Sequence, residues 1–186
     1  AIWLAWFNLR GKSAKTNSEH SERANYLMPA ISAIEPQRRK GRLNIYVDGE
    51  FVIGVGENVA ADLGLRTGRE MSPDKLREIA SAEEIHKATE SALGLLEVRP
   101  RARREIAMRL RQKGYEEQVI SQVVEKLVRL ELLDDTQFAA QWVEAKTRVT
   151  GSRPIGRRRL TQELFQKGVA KEEIEAAVER VTDDDE

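Results

Sequence analysis

The chain has no cysteine, so disulfide bonds and thiolate chemistry are both excluded. It also lacks a long apolar run. Nothing approaches the ~18 residues needed to span a bilayer. The opening Ala1-Ile2-Trp3-Leu4-Ala5-Trp6-Phe7 is short, and its cations Arg10, Lys12 and Lys15 follow it rather than precede it, against the order in a secretory signal. These absences lead to the expectation of a soluble, cytoplasmic protein with no membrane contact.

Catalytic groupings are equally scarce. Of the two histidines, His20 lies in an atypical N-terminal stretch and His86 on a polar helix face. Gly54-Val55-Gly56 lacks the rest of a phosphate-binding motif and the helix that would follow it. Asp134-Asp135 immediately precedes an amphipathic run and reads as a helix cap rather than a carboxylate dyad. The acidic tail has neither the spaced oxygen ligands nor the turn glycine of a calcium loop. No enzyme activity, metal or cofactor is expected.

Net charge is also lacking, for 31 Lys and Arg balance 31 Asp and Glu. The two signs are nevertheless segregated. Arg99, Arg101, Arg103, Arg104, Arg109, Arg111 and Lys113 have only Glu105 among them. Arg148, Arg153, Arg157, Arg158 and Arg159 form a second basic block, and Asp183-Asp184-Asp185-Glu186 closes the chain. Segregated charge points to an oriented surface that faces nucleic acid or an acidic partner.

The strongest positive signal is a duplication. Arg157-Arg158-Arg159-Leu160 repeats Arg103-Arg104-Glu105-Ile106, Leu164 repeats Leu110, and Gln166-Lys167-Gly168 repeats Gln112-Lys113-Gly114. Ile174, Val178 and Val181 fall where Ile120, Val124 and Leu127 stand, all at one common offset. Such self-similarity marks an array built from one supersecondary unit.

In chain order, residues 1–30 read as a leader, disordered or non-native, with Met28 as the expected biological start. Period-two alternation at Leu43, Ile45 and Val47, then Asp48-Gly49 and a second apolar run, predicts a β-hairpin within 31–57. A third strand from Ile31–Glu35 or a packed helix would support it, because a lone hairpin is marginal in water. Helical spacing then predicts a first three-helix repeat at 58–99. Its helices run over 59–65, from the Ser72-Pro73 cap to about Ala80, and from a Ser81/Glu84 capping box onward. A second repeat occupies 100–150, with Asp134 capping its third helix. A partial third, lacking its last helix, occupies 151–186 with the acidic tail. Phe138 and Trp142, four residues apart, read as core. The fold class is mainly α: tandem three-helix-bundle repeats behind a small N-terminal β-hairpin segment.

The basic residues admit two readings. They solvate the outer faces of helices whose inner faces are Ile106 and Leu110, or they line one surface for phosphates or carboxylates. Their repetition, and the preference for forked arginine over lysine, favour the second.

At Arg103-Arg104-Glu105, Leu110, Lys113-Gly114-Tyr115, Leu132-Leu133-Asp134-Asp135, Phe138-Ala139 and Gln166-Lys167-Gly168-Val169, the chain resembles the bacterial RecX family, regulators of the RecA recombinase. The hairpin Asn44-Ile45-Tyr46-Val47-Asp48-Gly49-Glu50 fits the N-terminal segment of some members. The similarity covers roughly 31–181. It implies a non-enzymatic protein that lies in the groove of the RecA–single-stranded DNA filament and restrains strand exchange, ATP turnover and the coprotease activity of the SOS response. ATP and magnesium would belong to RecA. The expected contacts, for acidic RecA surface and DNA phosphates, are Arg101, Arg103, Arg104, Arg111, Lys113, Arg153, Arg157, Arg158 and Arg159, in a protein expected to be monomeric. Two departures stand out. Ala102 offers no hydroxyl cap to the first basic helix, a loss of about 1 kcal/mol if nothing substitutes, and the third repeat is short. The competing functions are a direct DNA-binding module acting without RecA, and an adaptor that recruits a partner by pairing at the hairpin edge.

Overall fold

The computed structural model describes residues 29–148, 155–179 and 181. Residues 1–28 of the expected leader, Arg153 and the acidic tail lie outside them, whereas Pro29 and Ala30, placed in the leader by the sequence reading, join the body, the Pro29 carbonyl accepting the Met71 N–H at 2.6 Å. The chain divides into two compact units, one up to Glu83 and one from Glu84.

The first unit is built on a three-stranded antiparallel sheet in the order β1 (Ile31–Pro36), β2 (Arg42–Val47), β3 (Glu50–Gly56). Asp48 and Gly49 have φ of 49° and 85°, as the tight hairpin turn requires. The hairpin thus gains the third strand it needs. Ile31, Ile45, Val47, Val52 and Val55 form a buried core with Val59 and Ala60 of the short helix α1 (Glu57–Asp62) and with Met71, Leu76 and Ile79. Arg42 forms an ion pair with the buried Glu83, whose other oxygen accepts the Gly56 N–H at 2.8 Å.

Helix α2 runs unbroken over Pro73–Val98. Ser72 caps its start, Oγ accepting the Lys75 N–H at 3.1 Å. The break expected at Ser81 does not occur. Ser and Glu three residues apart also suit a helix interior, and no Pro or Gly lies between Leu76 and Ala88 to stop propagation. The expected first repeat at 58–99 is therefore not a three-helix unit. α1 closes the sheet's core instead.

The second unit holds α3 (Arg103–Gln112), α4 (Glu117–Arg129), α5 (Asp135–Thr147), α6 (Arg157–Lys167) and α7 (Lys171–Val178). Two apolar cores show how they group. Ala88 and Ala92 of α2 pack with Ile106, Leu110, Val119, Ile120, Val123 and Leu127. Phe138, Ala139 and Val143 of α5 pack with Leu160, Leu164, Ile174 and Val178. The bundles are thus α2–α3–α4 and α5–α6–α7, out of phase with the expected bounds 100–150 and 151–186. The duplicated signature sits in the second and third helices of each bundle, whereas the leading helices carry little of it. With α5 in front, the last bundle has all three helices. The mainly α architecture of tandem three-helix bundles behind a small sheet stands.

Candidate partner interface

The basic segments occupy equivalent places. α3 and α6 are the second helices of their bundles, each turned inward by two apolar residues, Ile106 with Leu110 and Leu160 with Leu164. Each ends at a positive-φ glycine, Gly114 (90°) or Gly168 (85°), the conformation that closes a helix at little cost for glycine.

Around the start of α3 the cations are committed internally. Glu105 is buried and receives Arg99 Nη2 at 2.5 Å and Nη1 at 3.2 Å, while Arg101 pairs with the same carboxylate. Arg101 also donates Nε to the Leu95 carbonyl at 3.0 Å, and its side chain is only 10% exposed. Burial alone would raise the Glu105 carboxyl, but the hydrogen bonds and charges of Arg99 and Arg101 outweigh it and hold the group below its ordinary value. Arg101 therefore builds the loop before α3 and is not presented to a partner.

Arg103 serves a second internal contact. Its backbone N–H donates to Asp135 Oδ1 at 2.8 Å, with Asp135 Oδ2 3.9 Å from its Nε. Ala102 supplies no side-chain cap, as expected, so a carboxylate from α5 caps α3 across the bundle boundary. The anticipated capping loss is thus made good. Burial pushes the Asp135 carboxyl up, against the pull of the Arg103 N–H and charge. Of the neighbouring acids only Asp134 caps its own helix, accepting the Gln137 N–H at 3.0 Å. Ala102 is itself buried in the core of the following bundle.

Of the remaining expected residues that are described, all but half-buried Arg157 are exposed. Arg104 and Lys113 are exposed and have no ion-pair partner among the described residues. Arg111 pairs with Glu117 (Nη2 to Oε2, 2.8 Å), but both side chains are more than half exposed, so the pair holds the guanidinium weakly. At the start of α6, Arg157 is half-buried and Arg158 exposed, without ion pairs among the described residues, while exposed Arg159 stands 3.4 Å from Glu163. The first turn of α6 contains no acid and its Gly156 cap has no side chain. Three cations at the positive end of a helix are each unfavourable by about 0.3–1 kcal/mol at low salt.

Between α3 and α6 opens a cleft of about 500 Å³, lined on one side by Arg104, Met108 and Arg111 and on the other by Phe165, Gln166 and Lys167. The Arg104 stem lies against Gly168, where an added Cβ would overlap it. Sequence reasoning overlooked Phe165, which is 65% exposed. It follows Leu164 directly, one residue off the inward-facing position, which was the available signal. Trp142 and Phe138 instead stack at 6.1 Å within the bundle, with Lys167 4.0 Å from the centre of the Trp142 ring. Among the described residues, no helix is long and apolar enough to cross a membrane.

Three family models match in order: the regulatory protein RecX N-terminal domain at 29–72, the RecX first three-helix domain at 88–127, and the second three-helix domain at 134–178. Their bounds follow the sheet and the two cores. A solved structure titled "Crystal structure of regulatory protein RecX" superposes with a TM-score of 0.72 at 31% identity, over 82% of this chain and 74% of the other. The chain belongs to the RecX family. Among curated RecX relatives, the regulatory protein RecX of Lactobacillus johnsonii is 33% identical over 158 residues, 85% of this chain and 57% of that protein. That of Halalkalibacterium halodurans is 33% identical over 156 residues, 81% of this chain and 58% of that one. The chain thus spans little more than half the length of these RecX relatives.

Proposed function

We propose that this chain is a non-enzymatic regulator of RecA that docks its two bundles on the RecA–single-stranded DNA filament. There it restrains the filament's recombinase, ATPase and coprotease activities, and with them the SOS response. It acts as a cytoplasmic monomer, with single-stranded DNA lying within or beside its partner filament. Family membership supports the partner. The observation that carries the mode of contact is the pair Arg157 and Arg158, without ion-pair partners among the described residues, at the acid-free start of α6 where the helix dipole disfavours them, together with exposed Arg104 on α3. An anionic partner at the start of α6 would relieve those unfavourable electrostatics. Consecutive small bundles give a protein a face long enough to bridge neighbouring protomers of a polymer.

The test titrates the protein into RecA-catalysed, DNA-dependent ATP hydrolysis and, at the same salt, into bare single-stranded DNA. Inhibition is expected at concentrations too low to coat the DNA. The triple variant Arg157→Ala/Arg158→Ala/Arg159→Ala should need on the order of ten-fold more protein for the same inhibition, the loss of about one strong charge-assisted contact. Inhibition only in step with DNA coating would move the assignment to a DNA-binding module without a RecA partner. That second reading is favoured by the same cations, and it predicts binding that collapses steeply with salt.

A further inference from the structure

The cleft between α3 and α6 combines features that a solvated basic face does not need. Phe165 presents 65% of its surface and Met108 42%, side by side with Arg104, Arg111 and Lys167. The one acid in its wall, Glu105, is already neutralised by Arg99 and Arg101. Arg104 has its stem packed along Gly168, so its guanidinium is held near the cleft. Lys167 is steadied over the Trp142 ring at 4.0 Å. The cations are therefore positioned before any ligand arrives.

We propose that this cleft is a single-stranded nucleic-acid subsite, in which one base stacks on the Phe165 ring while Arg104 and Lys167 take the flanking phosphates. The proposal rests on the reading that this face meets single-stranded DNA, and it names the residue that meets a base. The shape favours a strand over an acidic peptide. Arg104 and Arg111 are seven residues apart, about 10 Å along the α3 axis, so positive charge is spread as a phosphate chain spreads its negative charge. An open aromatic face accepts a flat base of any sequence, whereas a peptide side chain needs an enclosing pocket. Met108 supplies a deformable apolar edge beside the ring.

The experiment compares binding of an oligothymidylate with binding of an equally long strand of abasic sites, by fluorescence anisotropy at fixed salt. The expected result is tighter binding of the strand with bases. Phe165→Ala should weaken that strand by about ten-fold or more and leave the abasic strand unchanged, while Phe165→Trp restores the difference. Because Phe165 is exposed, its removal leaves the core intact. Equal weakening of both strands by Phe165→Ala, or no weakening, would overturn the subsite. So would a Phe165-dependent affinity for a Glu/Leu-rich peptide that the oligothymidylate does not compete away. RecA-dependent ATP hydrolysis measured with the same proteins separates the two ideas. Wild-type inhibition without base discrimination removes only the subsite, and base discrimination without inhibition removes only the regulator.

Discussion

The helices α3 and α6 carry nearly the same motif and use it differently. At α3, Arg101 and Arg103 are drawn into Glu105 and Asp135, and the basic residues assemble a junction. At α6, Arg157 and Arg158 have no ion pair among the described residues, and Arg159 reaches only to Glu163. A basic cluster is therefore architecture where buried acids meet it, and where they do not, as at α6, it is left open to solvent. The duplicated arginines are alike in sequence, and the acids that come from elsewhere in the fold divide their labour.

The largest test of this contrast removes the acid. Glu105→Ala strands a buried Arg101 guanidinium and is expected to destabilise the protein by about 3 kcal/mol in denaturant unfolding. The three α6 arginines replaced by alanine should cost no stability and at low salt should add about 1–3 kcal/mol, since the helix dipole disfavours each of them. A matched loss in both would erase the distinction. Titration sharpens it further. The Glu105 carboxyl lies below its ordinary value. Its stabilisation is thus complete above the unfolded-state pKa and disappears as pH falls through the folded-state pKa. Glu105→Gln should flatten that acid limb in unfolding free energies measured from about pH 6 to pH 3. Asp135, pushed up by burial, runs the other way and favours folding when protonated.

An intermediate effect compares the two terminal glycines. Both Gly114 and Gly168 hold positive φ, so alanine at either costs about 1 kcal/mol in backbone strain. Nothing lies within 4 Å of a Cβ at Gly114, whereas one at Gly168 overlaps the Arg104 stem. Gly168→Ala should therefore be worse by at least about 1 kcal/mol and should also weaken oligothymidylate binding by moving Arg104. Equal melting temperatures for the two variants would contradict this account.

The smallest effect is a gain. Glu131 closes α4 with φ of 57°, a conformation that glycine adopts more easily. Glu131→Gly should stabilise the protein by up to about 1 kcal/mol, read as a raised unfolding midpoint in denaturant.

Much of this was legible in the chain. Asp48-Gly49 marked the hairpin because only special φ values make that turn. Ser72 and Asp134 marked their helix starts, and Leu110 with Leu164 marked equivalent inward faces. What could not be read depended on partners distant in sequence. Nothing local distinguishes Arg101, bound to Glu105, from Arg104, which is not. Asp135 looked like one half of a capping pair on α5, yet it caps α3, thirty-two residues away by sequence separation. The phase of the bundles escaped because α5 follows α4 closely, while its partners Leu160 and Leu164 come only after a long connection. The Ser81/Glu84 signature misled because a capping box and a polar helix surface are written with the same residues.

The Asp135 contact also bears on how the second unit comes apart. A helix start capped by its own preceding residue can open and close alone, but α3 draws its cap from the helix that leads the following bundle. Ala102, just before α3, is likewise buried in that following core. Local opening of α5 would uncover the α3 N-terminus together with the Ala102 site, so fraying at one bundle is felt in the other. The two bundles are then expected to open as a coupled element in hydrogen exchange rather than as independent beads, and a protease that severed the chain between α4 and α5 should loosen residues well upstream of its cut.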